Sequence, residues 1–236
     1  MTIWVVVPAA GVGRRFGGDT PKQYQQLLGK SVIEHTLERL LELEGAQIVV
    51  ALSPVDTLWQ QLSVFQTPRI QTTVGGDERA DSVRLALESL QGKAESDDWV
   101  LVHDVARPCV RVEDIKNLLI QLANHTVGGV LATPISDTVK RIVKQTAHQS
   151  DIDSTEDRSQ LWAAQTPQMF RYGLLLESLQ TAVKQQHQHQ PTDESAAIEQ
   201  LGYTPSVVEG SRDNIKITQL EDMAIAEAII KYQQQL

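Results

Sequence analysis

The stretch IWVVVPAAGVGRRFGGDTPKQY, residues 3–24, decides the fold class. It begins with a compact apolar run, which is typical of a central parallel strand buried on both faces. Small residues follow at once, and the chain enters a glycine-rich loop with three cations, Arg14, Arg15 and Lys22. Backbone N–H groups in such a loop approach phosphates closely, because glycine has no Cβ. The stretch therefore predicts an α/β domain with an anion site after its first strand.

Two familiar phosphate-binding loops disagree with these letters. A dinucleotide-binding loop needs a third glycine where Phe16 stands, and an acidic ribose ligand where Ser53 follows the second strand. A Walker A loop needs Gly-Lys-Ser/Thr, whereas Gly18 is followed by Asp19. A plain strand-to-helix connection with surface arginines remains as the alternative to an anion site.

Strand and helix patterns alternate along most of the chain, which predicts a doubly wound, mostly parallel sheet with right-handed crossovers. After the first strand, we expect strands at 47–52, 70–74, 99–102, 128–134, 206–208 and 214–217. We expect helices at 31–43, 56–65, 79–90, 112–123, 172–186 and 194–201, and from Leu220.

The alternation breaks between residues 136 and 158. This segment is polar, and its partial two-residue periodicity predicts an extended arm that projects from the domain. Such an arm usually needs a partner surface.

Two further segments follow predicted strands at the edge where open α/β sheets bind ligands. In GGDERADS, residues 75–82, Asp77 and Ser82 either face a ligand or only cap the next helix. In HDVARP, residues 103–108, Asp104 is a candidate Mg²⁺ contact, because Mg²⁺ prefers one or two carboxylates plus phosphate oxygens. The alternative is a loop carboxylate paired with Arg107.

A fourth segment, DNIKIT at 213–218, places Lys216 between two isoleucines. This lysine either reaches a ligand or points to solvent by strand alternation. Cys109 shows no sign of a reactive thiol and is expected to pack near the site. His187 and His189 are two residues apart and do not share a helix face, so they are weak metal ligands.

Composition excludes several classes of protein. A net charge of −9 over 236 residues argues against a nonspecific nucleic-acid binder, since phosphate contacts need a basic face. One cysteine allows no intramolecular disulfide, so a secreted disulfide scaffold is excluded. The N-terminal apolar run has no basic flank and is too short to span a bilayer, which predicts a cytoplasmic protein without membrane contact.

The sequence resembles the methylerythritol phosphate cytidylyltransferase family. The resemblance rests on seven segments in order: PAAGVGRRFGGDTPKQY, GGDERADSV, VLVHDVARP, DTVKR, LWAAQTPQMF, TDESAA and VEGSRDNIKIT. It implies a single domain over 1–236 with a Rossmann-like fold of the nucleotide-diphospho-sugar transferase type, in which a β-arm at 136–158 builds a homodimer. It also implies transfer of CMP from CTP to 2-C-methyl-D-erythritol 4-phosphate, with Mg²⁺ as cofactor.

The resemblance further implies roles for individual residues, each taken from a matching motif position. Residues expected to stabilise the triphosphate or to position the substrate phosphate are Arg15, Lys22, Arg158 and Lys216. Residues expected around the nucleotide are Ala9, Ala10, Gly11, Gly13, Gly76, Asp77, Ser82, Asp104 and Val105, with Asp104 beside the metal. Residues expected to complete the substrate pocket are Arg107, Thr138, Thr166 and Thr192.

Two other functions stay open on the letters alone. A ribitol 5-phosphate cytidylyltransferase would share the CTP motifs and differ in the arm and near Arg158 and Thr192. A noncatalytic nucleotide-binding regulator would have little reason to keep Lys22, Asp104, Arg158 and Lys216 together.

Overall fold

A computed structural model describes residues 2–11, 20–146, 149–184 and 191–235 of the chain. The strands are β1 (Ile3–Pro8), β2 (Gln26–Leu27), β3 (Lys30–Ser31), β4 (Gln47–Leu52), β5 (Ile70–Val74), β6 (Trp99–Val102), β7 (Gly128–Pro134), β8 (Lys140–Gln145), β9 (Ser150–Thr155), β10 (Trp162–Arg171) and β11 (Ser206–Glu209). The α-helices are α1 (Val32–Leu41), α2 (Arg79–Glu88), α3 (Val112–Leu122), α4 (Tyr172–Lys184), α5 (Glu194–Gln200) and α6 (Asp222–Gln233). Short 3₁₀ turns occur at Lys22–Tyr24, Trp59–Gln61 and Arg158–Gln160.

A seven-stranded sheet forms the centre of the described chain, in the order β11, β7, β10, β6, β1, β4, β5. β1 pairs in parallel with both β4 and β6, while β4 pairs in parallel with β5 and β7 with β11. β10 runs antiparallel between β6 and β7. The predicted α/β fold with a mostly parallel sheet is therefore confirmed, with one antiparallel strand inside it.

Helices cover both faces of the sheet, and side chains that alternate along β1 separate the two core layers. Val5 and Val7 pack with α1 and α3, whereas Trp4 and Val6 pack with α2 and α4. The middle of β1 is fully buried, which explains why its sequence is continuously apolar. This double cover leaves the carboxyl edge of the strands as the place where loops meet.

Three expectations about secondary structure were wrong. The helix expected at 56–65 is reduced to one 3₁₀ turn, because the Asp56 carboxylate accepts the N–H bonds of Leu58 and Trp59, both at 2.9 Å, and so favours a turn. The segment 214–217 belongs to no strand, although the Ile217 N–H donates to the Ala106 carbonyl at 2.8 Å. The sheet strand β10 was not expected, since polar residues and Pro167 interrupt its apolar run.

The segment 136–158 contains an antiparallel hairpin formed by β8 and β9. Every residue of β9 is exposed, and so are the apolar side chains of Ile142, Val143 and Ile152.

Over the ranges that the structure describes, no helix combines the length and the apolar content needed to cross a membrane.

Candidate active site

A pocket opens at the carboxyl edge of the sheet, where the loops after β1, β5 and β6 meet. It encloses about 560 Å³, part of which is open to solvent. The lining residues are Pro8, Ala9, Ala10, Gly11, Lys22, Gln23, Gly76, Asp77, Glu78, Arg79, Ser82, Asp104, Val105, Ala106 and Lys216. Ten of the residues expected from the sequence are among them, so one cavity gathers segments that lie far apart along the chain.

The first wall follows β1 and consists of Ala9, Ala10 and Gly11. Gln23, which the sequence reasoning missed, holds this wall: its side-chain amide donates to the carbonyls of Ala9 at 2.9 Å and Gly11 at 3.1 Å. The expected residues Gly13 and Arg15 follow directly and lie outside the described residues, as do His187 and His189.

The second wall is the turn between β5 and α2. The Gly76 N–H donates to the Ser82 hydroxyl oxygen at 3.1 Å, and Ser82 is almost fully buried. A Cβ on Gly75 would lie 2.5 Å from the Cβ of Ala10, so only glycine lets this turn approach the first wall. Glu78 occupies the N-cap position of α2 without a capping hydrogen bond from its side chain, and the Ser82 hydroxyl shapes the turn that faces the pocket.

Asp104 forms the floor, directly after β6. One of its carboxylate oxygens accepts from Arg79 Nε at 2.7 Å, and the other pairs with Lys216 Nζ at 2.7 Å. Arg107 Nε lies 3.8 Å from the second oxygen. Burial opposes ionisation of this carboxyl, but Arg79 and Lys216 outweigh that effect and hold its pKa well below the usual range. Asp104 is therefore a carboxylate at any ordinary pH.

Arg79 is the most consequential residue that sequence reasoning missed. Its guanidinium also binds the carboxylate of Glu194 through two hydrogen bonds, of 2.7 and 2.9 Å, and Glu194 is 1% exposed. Arg79 thereby joins the floor of the pocket to the start of α5. An arginine in the first turn of a helix opposes the helix dipole, and this is the signal by which the sequence could have revealed it.

The segment 214–217 holds two lysines at the pocket. Lys216 is part of this segment, and Lys22 contacts its last residue. The Arg107 guanidinium donates to the Asn214 carbonyl at 2.7 Å, and this bond fixes the start of the segment. Lys22 Nζ donates to the Ile217 carbonyl at 3.2 Å. Lys216 does not simply point to solvent, since it pairs with Asp104, and both lysines line the same cavity.

Thr166 lies behind Asp104 and is 3% exposed. The pairing of β10 with β7 is interrupted between Ala164 and Gln168, and this irregularity brings the Thr166 hydroxyl to the Asp104 main chain. The Asp104 N–H donates to it at 3.0 Å. His103 lies beside both residues; burial lowers its pKa to about 4, so its ring is neutral at pH 7.

Five of the expected residues that the structure describes do not line the pocket. Arg107 and Thr166 lie behind Asp104. Arg158, Thr138 and Thr192 are all exposed. Arg158 stands at the base of the hairpin, where its guanidinium donates to the Ser136 carbonyl. Cys109 is fully buried, and burial raises the pKa of its thiol to about 12, which agrees with a packing role.

The arrangement suits the chemistry of phosphate esters. Three cationic side chains, Lys22, Arg79 and Lys216, line the cavity together with small residues and three carboxylates, in a chain that is acidic as a whole. No three His, Cys, Asp or Glu side chains in the described part of the chain gather to hold a metal. Asp77 and Asp104 nevertheless line the cavity, and two carboxylates together with phosphate oxygens fit Mg²⁺.

Comparison with known proteins agrees with the geometry. The model of the 2-C-methyl-D-erythritol 4-phosphate cytidylyltransferase family matches residues 3–232. The chain is 48% identical to the protein of that name from Hahella chejuensis (strain KCTC 2396) over 231 residues, which cover 97% of this chain and 93% of that one. A second relative of the same name, from Vibrio vulnificus (strain CMCP6), is 48% identical over 223 residues, covering 94% and 92% of the two chains. The crystal structure of the Francisella tularensis protein of that name superposes with a TM-score of 0.83 at 34% identity, covering 97% of this chain and all of the other.

Proposed function

The chain belongs to the 2-C-methyl-D-erythritol 4-phosphate cytidylyltransferase family, and from this premise we propose that the pocket between β1, β5 and β6 is where its reaction takes place. The enzyme is a nucleotidyltransferase that transfers CMP from CTP to 2-C-methyl-D-erythritol 4-phosphate in isoprenoid biosynthesis. The products are 4-diphosphocytidyl-2-C-methyl-D-erythritol and pyrophosphate. The observation that carries the assignment to this pocket is the joint presence of Lys22, Lys216 and Asp104 on one cavity.

The two walls of small residues form the cytidine site in this proposal. Its residues are Ala9, Ala10, Gly11, Gly76, Asp77, Ser82 and Val105, together with Gly13 from outside the described ranges. Backbone groups near Ala10 and Gly76 read the amino edge of cytosine. The two walls approach closely at Gly75, where an added Cβ would lie 2.5 Å from the Cβ of Ala10, and in this proposal the space between the walls admits a pyrimidine and excludes a purine.

Lys22 and Lys216 supply the charge for the reaction, together with Arg15 from outside the described residues. An oxygen of the substrate phosphate attacks the α-phosphorus of CTP and forms a new P–O bond. The bond from the α-phosphorus to the bridging oxygen breaks, and its electron pair leaves with pyrophosphate. The attacking phosphate is already ionised, so the protein needs no nucleophile and contributes positioning and charge stabilisation.

Mg²⁺ is proposed to bind mainly to triphosphate oxygens, with Asp104 as the nearest carboxylate. When bound, it would neutralise charge on the leaving pyrophosphate. Both oxygens of Asp104 are already engaged by Arg79 and Lys216, so the ion would share this carboxylate with two cationic side chains.

We further propose that two copies of the chain share their sites through the hairpin. The exposed apolar side chains of Ile142, Val143 and Ile152 support a buried interface there. In a closed two-fold dimer, Arg158 and Thr138 of the segment 136–158 would complete the partner's pocket. Thr192, two residues before Glu194, would serve its own chain, as would Arg107 and Thr166 from behind Asp104. The enzyme acts in the cytoplasm in this proposal, because its nucleotide substrate is made there.

A substrate panel tests the proposal. Pyrophosphate release is measured with each of CTP, ATP, GTP and UTP, and with methylerythritol phosphate or ribitol 5-phosphate as acceptor. We expect fast release only with CTP and methylerythritol phosphate. Comparable turnover with ATP would refute the narrow cytidine site, and preference for ribitol 5-phosphate would refute the acceptor.

A further inference from the structure

His103 connects three residues of the site by hydrogen bonds and is itself completely buried. Its Nε2 lies 3.1 Å from the Arg107 carbonyl oxygen, and its Nδ1 lies 3.1 Å from the Thr166 hydroxyl oxygen. The same hydroxyl oxygen accepts the Asp104 N–H at 3.0 Å. The imidazole therefore lies at the centre of a chain of hydrogen bonds that ends at the main chain of the pocket floor.

The partners of the ring determine where its proton lies. A carbonyl oxygen only accepts, so Nε2 must carry a hydrogen and donate it to Arg107. In a neutral ring, Nδ1 then has no hydrogen and accepts the hydroxyl proton of Thr166. The Thr166 oxygen keeps its lone pairs for the Asp104 N–H. Each donor in this chain meets one acceptor, and the reverse tautomer would set Nε2 against the carbonyl with no proton between them.

We propose that His103 is a positioning residue of the active site, acting through Thr166. As the neutral Nε2–H tautomer, it accepts a hydrogen bond from the Thr166 hydroxyl group, and this bond turns the lone pairs of the hydroxyl oxygen toward the Asp104 N–H. This sets the main chain from which the Asp104 carboxylate reaches Arg79 and Lys216. Thr166 consequently has no hydroxyl proton left for a substrate phosphate. The kinetic part of this inference rests on the proposed function, whereas the proton arrangement does not.

Protein labelled with ¹⁵N-histidine tests the proton arrangement without any assay of activity. Comparison of wild type with His103→Asn identifies the signals of His103, and His125 serves as an internal reference. The Nδ1 of His125 accepts the N–H bonds of Val127 and Gly128, so it has the same tautomer. We expect His103 at pH 7 to show a hydrogen on Nε2 and none on Nδ1, and Thr166→Val to shift the Nδ1 signal. A hydrogen on Nδ1, or no response to Thr166→Val, would overturn the proposal.

Three substitutions of His103 test the kinetic consequence. Asparagine keeps an acceptor near the Nδ1 position, glutamine keeps a donor near the Nε2 position, and leucine keeps neither. We expect kcat to fall about tenfold in His103→Gln and His103→Leu, the equivalent of one lost hydrogen bond, and to stay within about threefold of wild type in His103→Asn.

Two controls separate positioning from folding. Adding Thr166→Val to His103→Leu is expected to lower kcat no further, since both changes break the same link. His125→Asn, remote from the pocket, should leave kcat and KM at wild-type values. If His103→Gln retains more activity than His103→Asn, or if the two losses simply multiply, Thr166 does not carry the effect and the proposal fails.

Discussion

Replacement of Arg79 by methionine removes the cation that two buried carboxylates share. Methionine keeps much of the length and packing of the side chain, but it leaves Glu194, which is 1% exposed, without its two hydrogen bonds from Arg79. Asp104 keeps only its other cationic neighbours. Loss of one partner from a buried ion pair costs about 3–5 kcal/mol, because the remaining charge stays desolvated. We therefore expect Arg79→Met to lower the free energy of unfolding by about that amount.

Urea denaturation followed by circular dichroism measures the effect. At an m-value of about 2–3 kcal/mol/M, the midpoint should fall by about 1–2.5 M. The double variant Arg79→Met/Glu194→Gln removes both charges and should recover at least half of the loss. Arg84→Met is the matched control, because Arg84 pairs with Glu88 on the same helix, away from the pocket floor. This substitution should lower the free energy of unfolding by less than about 1 kcal/mol. Equal midpoints for Arg79→Met and Arg84→Met would refute the claim that Arg79 holds the floor together.

Three other changes test separate parts of the account. Lys22→Ala should lower kcat by about 10²–10³ with unchanged unfolding, and near-normal turnover would remove Lys22 from the mechanism. Although burial opposes ionisation, hydrogen bonds from Ser63 and Ser31 lower the pKa of Glu34 from 4.5 to about 2. The ionised Glu34 therefore contributes fully to the stability of the fold above pH 4.5, and this contribution is lost as the pH falls through 2. The difference in the free energy of unfolding between wild type and Glu34→Gln should be largest near pH 7 and should shrink as the pH falls from 4.5 to 2 in urea titrations. A difference that stays constant over this interval would contradict the prediction. Refolding Lys22→Ala together with Arg158→Ala should restore about a quarter of wild-type activity if sites are shared, and none if each chain serves its own.

Sequence patterns predicted well what depends on local chemistry. The apolar run of β1 predicted a strand buried on both faces, and the small residues after it predicted a wall of the pocket. Asp104 was expected at the carboxyl edge, because loops that follow parallel strands meet there. These inferences need only the period of a strand and the direction of the chain.

Interactions between distant segments could not be predicted in this way. Arg79 bonds to Glu194 across 115 residues, and no spacing rule joins them. Thr166 reaches Asp104 because β10 enters the sheet in the opposite direction with an interrupted register, while its polar residues hid the strand itself. One of the polar residues that obscured β10, Thr166, is also one that supports the site.

A crystal structure of the protein with CTP and Mg²⁺ tests the central claim most directly, because it reveals where the nucleotide lies. The account predicts cytosine between the walls near Ala10 and Gly76, with the triphosphate beside Lys22 and Asp104 below it. Density for the nucleotide outside this pocket, or with the cytosine at Lys22 and the phosphates at Gly76, would contradict it.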